Sequence, residues 1–206
     1  MNGIELVHLA VYDTMADWEP GYAISRINNP LWQRSPDRFR VQTVAETREP
    51  ITTMGGMRIV PDITLAELGP GSSAMLVLPG GLVWDTGGNG VFAEQAARFL
   101  RAGTPVAAIC CATLGLARAG LLDEYDHTSS AAMYLEQASG YHGGGRYREE
   151  PAVTDRGLIT AGGTDPIDFA QHIFAKLGLY TSDVLDAWYR LYHDSDASAF
   201  AVLAAA

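Results

Sequence analysis

Ala107-Ala108-Ile109-Cys110-Cys111-Ala112-Thr113-Leu114-Gly115 sets a strand and a helix back to back with no connecting residue. Pro105–Ile109 is a short apolar run of the kind buried on both faces of a parallel sheet. Cys111–Ala119 has helical composition and stops at Gly120. At so sharp a bend the apical side chain is held in a strained conformation and stands clear of the sheet edge. The bend needs small residues two before and two after the apex. Cys110 meets this with Ala108 and Ala112, whereas Cys111 at the apex would set Ile109 against Thr113. A cysteine after an apolar strand often only fills space; the small-x-Cys-x-small pattern reverses that reading. Cys110 is therefore the expected nucleophile, its thiolate favoured by the positive end of the following helix. Cys111 is expected to be a packed neighbour whose N–H can donate to an oxyanion.

Outward from this stretch, apolar runs alternate with amphipathic ones, the pattern of helices packed on a mostly parallel sheet. Ile4–Tyr12, Arg40–Ala45, Met57–Val60 and Ala74–Leu78 read as strands, the middle two joined through Met54-Gly55-Gly56. Asp17–Ile27 reads as a helix with Pro20 in its first turn, and Gly90–Arg101 as a helix capped by Asn89. Ala131–Ser139 is expected to be helical and Gly143-Gly144-Gly145 a loop. Ala152–Thr154 and Leu158–Ala161 flank Asp155-Arg156-Gly157 as a hairpin, followed by helices at Pro166–Leu177 and Ser182–Tyr192. No repeat or linker divides the chain, so residues 1–206 are expected to form one α/β domain, with 178–206 a helical extension.

Composition narrows the function. With 206 residues, 48% hydrophobic and 18% charged, the chain is neither disordered nor short of core. A net charge of −10 disfavours nucleic acid and anionic membrane surfaces, since phosphate would be repelled. The longest apolar candidate, Pro105–Leu122, is interrupted by Thr113 and Arg118 and falls short as a membrane span. Met1-Asn2-Gly3-Ile4-Glu5 lacks the basic start of a secretory leader. The two cysteines are adjacent and have no other thiol to pair with, which fits a reducing, cytoplasmic setting.

Leu78-Pro79-Gly80-Gly81 ends a strand at the same sheet edge as Cys110, and its glycines let backbone N–H groups approach a substrate oxygen. Asp17-Trp18-Glu19 lies beyond the first strand, where a carboxyl either serves the helix terminus or reaches the Cys110 sulfur. Gly88-Asn89-Gly90-Val91-Phe92-Ala93 imitates a dinucleotide fingerprint but is not in the first strand–helix turn. No Cys, His and carboxylate grouping has zinc spacing, so neither a metal nor a cofactor is expected.

Glu19, Leu78-Pro79-Gly80-Gly81 and Ala107-Ala108-Ile109-Cys110 together resemble the ThiJ/PfpI family of the class I glutamine-amidotransferase-like superfamily. Ala119-Gly120-Leu121-Leu122, Asp155-Arg156-Gly157-Leu158-Ile159-Thr160-Ala161 and Pro166-Ile167-Asp168-Phe169-Ala170 extend the likeness over roughly residues 4–177. The resemblance implies a flavodoxin-like three-layer sandwich with Cys110 on the elbow and Glu19 touching its sulfur. It implies backbone donors from the Gly80-Gly81 turn and Cys111, and a homodimer. Asp17, His127, Gly163 and Thr164 are candidate pocket residues, His127 being read as either a structural or a pocket-rim residue. The aromatic tail Trp188-Tyr189-Arg190-Leu191-Tyr192 resembles an extension found in one bacterial branch.

The departures are informative. Family proteases place histidine directly after the nucleophile, where this chain has Cys111. Many relatives carry a later histidine in a Thr-Thr-His context, and the matching register falls on Ser130 rather than His127. None of the five histidines precedes a glutamate by two positions, so glutaminase chemistry is not expected, and a peptidase would lack an evident base. The expected activity is nucleophilic chemistry by Cys110 on a small electrophile: a carbonyl, aldehyde, amide or isonitrile. The alternatives are a redox-responsive or chaperone-like protein in which Cys110 is oxidised beside Glu19, and a ligand-binding protein on a retired enzyme scaffold.

Overall fold

The computed structural model describes residues 3–206; Met1 and Asn2, part of the stretch read for a leader, lie outside it. In chain order the elements are β1 (Glu5–Ala10), α1 (Gly21–Asn28), β2 (Phe39–Ala45), β3 (Ile51–Thr52), β4 (Arg58–Ile59), β5 (Ile63–Thr64) and β6 (Met75–Leu78). Then come α2 (Leu82–Asp85), α3 (Gly90–Arg101), β7 (Val106–Ile109), α4 (Cys111–Arg118) and α5 (Ala132–Leu135). The chain ends with β8 (Ala152–Asp155), β9 (Leu158–Ala161), α6 (Pro166–Leu177), α7 (Ser182–His193) and α8 (Phe200–Ala204).

Seven strands form one sheet in the order β5-β2-β1-β6-β7-β9-β8. All neighbours run parallel except β8, which returns antiparallel beside β9 as the expected hairpin. The apolar runs MLVL and VAAI fill β6 and β7, each residue buried, because helices cover both faces. α1, α6 and α7 pack together as one layer, and α3 and α4 contact each other in the other. This is the mostly parallel, flavodoxin-like three-layer sandwich.

The order reverses between β1 and β6, where the chain has walked outward through β2 and β5 and come back. The carboxyl ends of β1, β6, β7 and β9 therefore meet at one crevice, the usual place for a ligand in such sheets. The core holds Trp84, Phe92, Phe99, Phe169, Phe174 and Trp188, all fully buried. Each contributes roughly 1.5–3 kcal/mol by leaving water. Trp188 of α7 packs edge-on against Phe174 at 4.9 Å and Tyr22 at 6.3 Å, and stacks on Tyr192 at 5.1 Å. That aromatic cluster seats the C-terminal helices on α1 and α6.

Several expectations need correction. The segment Asp17–Ile27 is helical only from Gly21, because Thr14 N–H donates to Thr52 and Ala16 N–H to Gly80, tying the preceding chain across the sheet edge. Met54-Gly55-Gly56 closes the separate β3–β4 hairpin, and Ile63–Thr64 is the strand that joins β2. Asn89 precedes α3 in a left-handed conformation at φ 61° and its side chain makes no cap hydrogen bond. Only Ala132–Leu135 of Ala131–Ser139 is helical, and Gly143–Arg146 forms a 3-10 turn rather than an open loop. α2, β5 and α8 were not evident in the sequence, being too short for periodicity to register.

Candidate active site

Cys110 stands between β7 and α4 at φ 58°, ψ −130°, a conformation that non-glycine residues adopt only under constraint. Holding it costs on the order of 1–3 kcal/mol, offset by bonds on both sides. Its N–H donates to the Ala161 carbonyl at 3.0 Å, while its own carbonyl accepts from Thr113 N–H at 3.0 Å and Thr113 Oγ1 at 2.6 Å. Ala108 and Ala112 are both fully buried, leaving no room for larger side chains. The Cys110 side chain is half-buried.

Glu19 is fully buried although it carries a carboxyl, and it lies before α1 rather than within it. Gly80 N–H donates to its Oε2, while Oε1 is buried with no nitrogen or oxygen partner. Burial pushes the carboxyl up to about 7, against the Gly80 hydrogen bond and an interaction with Cys110 that favour the charged form. A methyl placed on Gly80 would meet Cys110 Cβ and both Glu19 oxygens at 2.9 Å each, so only glycine fits between acid and cysteine. The Gly80 N–H, expected as an oxyanion donor, is thus spent on Glu19. Tyr12 hydroxyl donates to the Pro79 carbonyl, and Trp84 Nε1 donates to Tyr12 Oη at 2.9 Å, fixing this turn from below.

Two backbone donors remain for an oxyanion. The Cys111 N–H, first in α4, has no intrahelical acceptor. The Gly81 N–H is the second, and it favours the charged form of the Cys111 thiol. Cys111 Sγ itself sits 3.6 Å from Cys110 Sγ and 3.9 Å from Asp85 Oδ2, and Tyr134 hydroxyl donates to Asp85 Oδ1 at 2.5 Å. The two thiols are not equivalent. Cys110 is pushed upward, first by its hydrogen bond to Cys111, then by burial and by the Glu19 charge. Cys111 is lowered to about 6, chiefly by the Cys110 hydrogen bond and also by Tyr134 and the Gly81 N–H, against burial and the Asp85 carboxylate. The sequence offered no sign of Asp85 or Tyr134, which reach Cys111 only through the fold.

Gly163 lies over the sulfur: a methyl there would be 2.6 Å from Cys110 Sγ and 3.5 Å from Ser130 Oγ. Its N–H donates to Ser130 Oγ at 3.2 Å and its carbonyl accepts from Trp18 Nε1 at 3.2 Å. Ser130, the residue in the register of the relatives' histidine, therefore does stand beside the site. Trp18 also walls a groove of about 590 Å³ with Asp17, Met54, Gly55 and Met57. Asp17 Oδ2 accepts from Gly55 N–H at 2.6 Å, so it anchors the β3–β4 turn while lining the groove. Thr164 is exposed on the rim and donates to Asp165 at 3.2 Å.

His127 does not reach the pocket. It is fully buried, with Nδ1–H donating to the Tyr125 carbonyl at 2.7 Å, which leaves Nε2 to accept from Tyr141 hydroxyl at 2.7 Å. Burial lowers its pKa, and Tyr141 and Tyr147 pack edge-on against the ring, so it is a neutral structural pin. Among the described residues no histidine is a leading influence on the ionisation of either thiol. Among the described residues no grouping of three metal-ligating side chains occurs, and no helix is long and apolar enough to cross a membrane.

An elbow cysteine, a buried acid after β1 and glycines closing over both define a class, and comparison with known proteins agrees. The DJ-1/PfpI family profile matches residues 6–176, and the chain belongs to that family. It is 40% identical over 187 residues to the uncharacterized protease YoaZ of Bacillus subtilis, covering 90% of this chain and 89% of that protein. It is 30% identical over 192 residues to the uncharacterized protease YdeA of the same organism, covering 90% and 92%. A thiJ/pfpI family protein from Bacillus anthracis superposes with a TM-score of 0.92 at 38% identity, over 99% of this chain and 98% of that one. The superposition thus spans α7 and α8, which lie beyond the family profile.

Proposed function

We propose that this protein is a cysteine-dependent enzyme in which Cys110 adds to a small electrophilic carbon, of a carbonyl, aldehyde, amide or isonitrile. One observation carries the reading: the half-open Cys110 sulfur, held on a strained elbow, stands against a buried carboxyl that keeps its proton near neutrality. Backbone strain at Cys110 and burial of the Glu19 carboxyl each cost stability, and such costs gather where chemistry is done.

In this reading ionised Glu19 takes the Cys110 thiol proton as Sγ bonds to the substrate carbon, and the electron pair of the carbon's multiple bond moves to oxygen or nitrogen. The Cys111 N–H, joined by the Gly81 N–H, takes up the developing charge. Glu19, present in both forms near its pKa of about 7, then donates that proton to the substrate heteroatom and recovers it on breakdown. Gly163, Ser130 and Trp18 limit the space above sulfur to a compact group. The protein then works as a homodimer in the reducing cytoplasm, where vicinal thiols stay reduced.

Turnover of a panel of glyoxals, aldehydes, amides and isonitriles, compared with Cys110→Ser, tests this. Turnover of at least one class that falls to background in the variant supports it. A protein that turns over none of them but consumes one equivalent of peroxide would sink it in favour of a redox role. Cleavage of an unstructured peptide that needs Cys110 would replace the small electrophile with a peptide amide, the chemistry named for the two Bacillus subtilis relatives.

A further inference from the structure

We propose that Ser130 is a specificity-determining residue, its hydroxyl donating a hydrogen bond to a second acceptor atom of the substrate, on the substituent that points away from the oxyanion donors. This deepens the reading above and rests on it, since it takes Cys110 as the nucleophile.

The sheet order sets the two ends of the cleft. β7 runs between β6 and β9, so the elbow at Cys110 is flanked by the chain leaving β6 on one side and the chain leaving β9 on the other. Gly81 lies on the first of these and Gly163 on the second. A substrate carbon bonded to Cys110 Sγ, with its reacting oxygen or nitrogen turned to the Cys111 and Gly81 N–H groups, extends its remaining substituent toward Gly163. There it meets a hydroxyl. The point a Gly163 β-carbon would occupy is 2.6 Å from Cys110 Sγ and 3.5 Å from Ser130 Oγ, so sulfur and hydroxyl border the same space.

That hydroxyl has a hydrogen to give. Ser130 Oγ accepts from Gly163 N–H at 3.2 Å, and among the described residues its own O–H meets no acceptor. Accepting from Gly163 orients the oxygen and leaves the hydrogen for a ligand, since one hydroxyl carries both functions. The polar groups around it are already engaged: the Gly163 carbonyl accepts from Trp18 Nε1 at 3.2 Å, and the Thr164 hydroxyl donates to Asp165 at 3.2 Å. Ser130 is also exposed, open to whatever enters the cleft.

The segment that presents Ser130 is keyed to the nucleophile. His127, Thr128 and Ser129, the residues before it, are all buried. Thr128 N–H donates to Thr160 Oγ1 at 2.9 Å, and the Thr128 hydroxyl donates to the Glu150 carbonyl at 2.7 Å. Thr113 Oγ1 spends its hydrogen on the Cys110 carbonyl at 2.6 Å, so in its 2.7 Å pair with Ser129 Oγ the serine is the donor. Ser129, Thr113 and Cys110 thus form one chain of hydrogen bonds that fixes the position of Ser130 relative to the elbow. A donor held in place recognises its acceptor at less entropic cost than a mobile one, and leaving it unpaired beside a substrate without that acceptor carries a penalty.

The test compares two chloromethyl ketones of matched shape, 1-chloro-3-methoxypropan-2-one and 1-chloropentan-2-one, which differ only in an ether oxygen where the second has a methylene. Rates of Cys110 modification are followed by peptide mass spectrometry. Each is divided by the rate of the same reagent with the unfolded protein, which removes intrinsic reactivity. Wild type should prefer the ether by about fivefold, the discrimination expected of one neutral hydrogen bond. Ser130→Ala should erase the preference by slowing the ether reagent alone, and Ser130→Thr, which keeps the hydroxyl, should retain it. A wild type without the preference overturns the proposal. So does a preference that survives in Ser130→Ala, whether both reagents slow equally or neither does, or one lost as fully in Ser130→Thr as in Ser130→Ala. Absence of any Cys110 adduct in wild type with either reagent would instead overturn the nucleophile assignment beneath it.

Discussion

Gly163 lies so close over Cys110 that a β-carbon there would stand 2.6 Å from the sulfur and 3.0 Å from the cysteine β-carbon. The roof of the site is therefore backbone, and its height is fixed by the absence of a side chain. Gly163→Ala must push aside either the sulfur or the segment bonded to Ser130 and Trp18. We expect a stability loss of about 1–3 kcal/mol from overpacking and a fall of roughly tenfold or more in reaction at Cys110 from the misplaced sulfur. Denaturant midpoints and haloketone labelling of the folded protein check both. Unchanged labelling would remove Gly163 from the site.

Glu19 gives a pH signature of opposite sign to the usual carboxylate. Burial raises it from 4.5 to about 7, so the folded protein keeps a proton that the unfolded chain releases between those values. Its contribution is fully present below the unfolded pKa and is lost as pH rises through the folded one. Across that interval wild type should lose about 3 kcal/mol relative to Glu19→Gln, which has nothing to titrate. Urea unfolding of both proteins at pH 4.5 and pH 8 measures the difference. Parallel stability curves would contradict a buried, protonated Glu19.

His127 should matter to folding and not to chemistry. Removing its buried ring leaves a void and takes their 2.7 Å partners from the Tyr125 carbonyl and the Tyr141 hydroxyl, which are part-buried. His127→Ala should cost about 1–3 kcal/mol, the loss of two part-buried hydrogen bonds and of the ring's packing. The folded fraction should label at Cys110 at the wild-type rate, with an unaltered pH profile. A changed profile would return His127 to the site.

How much of this could be read from the chain follows from the range of the interactions involved. The Cys110 elbow was legible because its determinants, Ala108 and Ala112, lie two residues away on either side. The alternation of buried strands and amphipathic helices was legible for the same reason, and the limits of α3 and α6 come out as read. Glu19 was found by its place after β1, but its burial depends on Gly80, 61 residues along the chain. Asp85, Tyr134 and Tyr12 gave no local sign, since each acts on the site only where α2, α5 and the end of β1 are packed against it. His127 stays open between a structural and a pocket-rim reading because a histidine that is fully satisfied and one that lines a pocket look alike in sequence. Its two tyrosine neighbours decide between them, and those are 14 and 20 residues away.

The most direct test of the central claim uses limiting chloroacetone at neutral pH, a small ketone whose carbonyl needs the backbone donors while its adjacent carbon alkylates sulfur. The adduct is then located by peptide mass spectrometry in native and in unfolded protein. Native modification should concentrate on Cys110, lose its selectivity on unfolding, and slow strongly in Glu19→Gln. Modification chiefly on Cys111, or a native Cys110 no faster than the unfolded thiol, would contradict it.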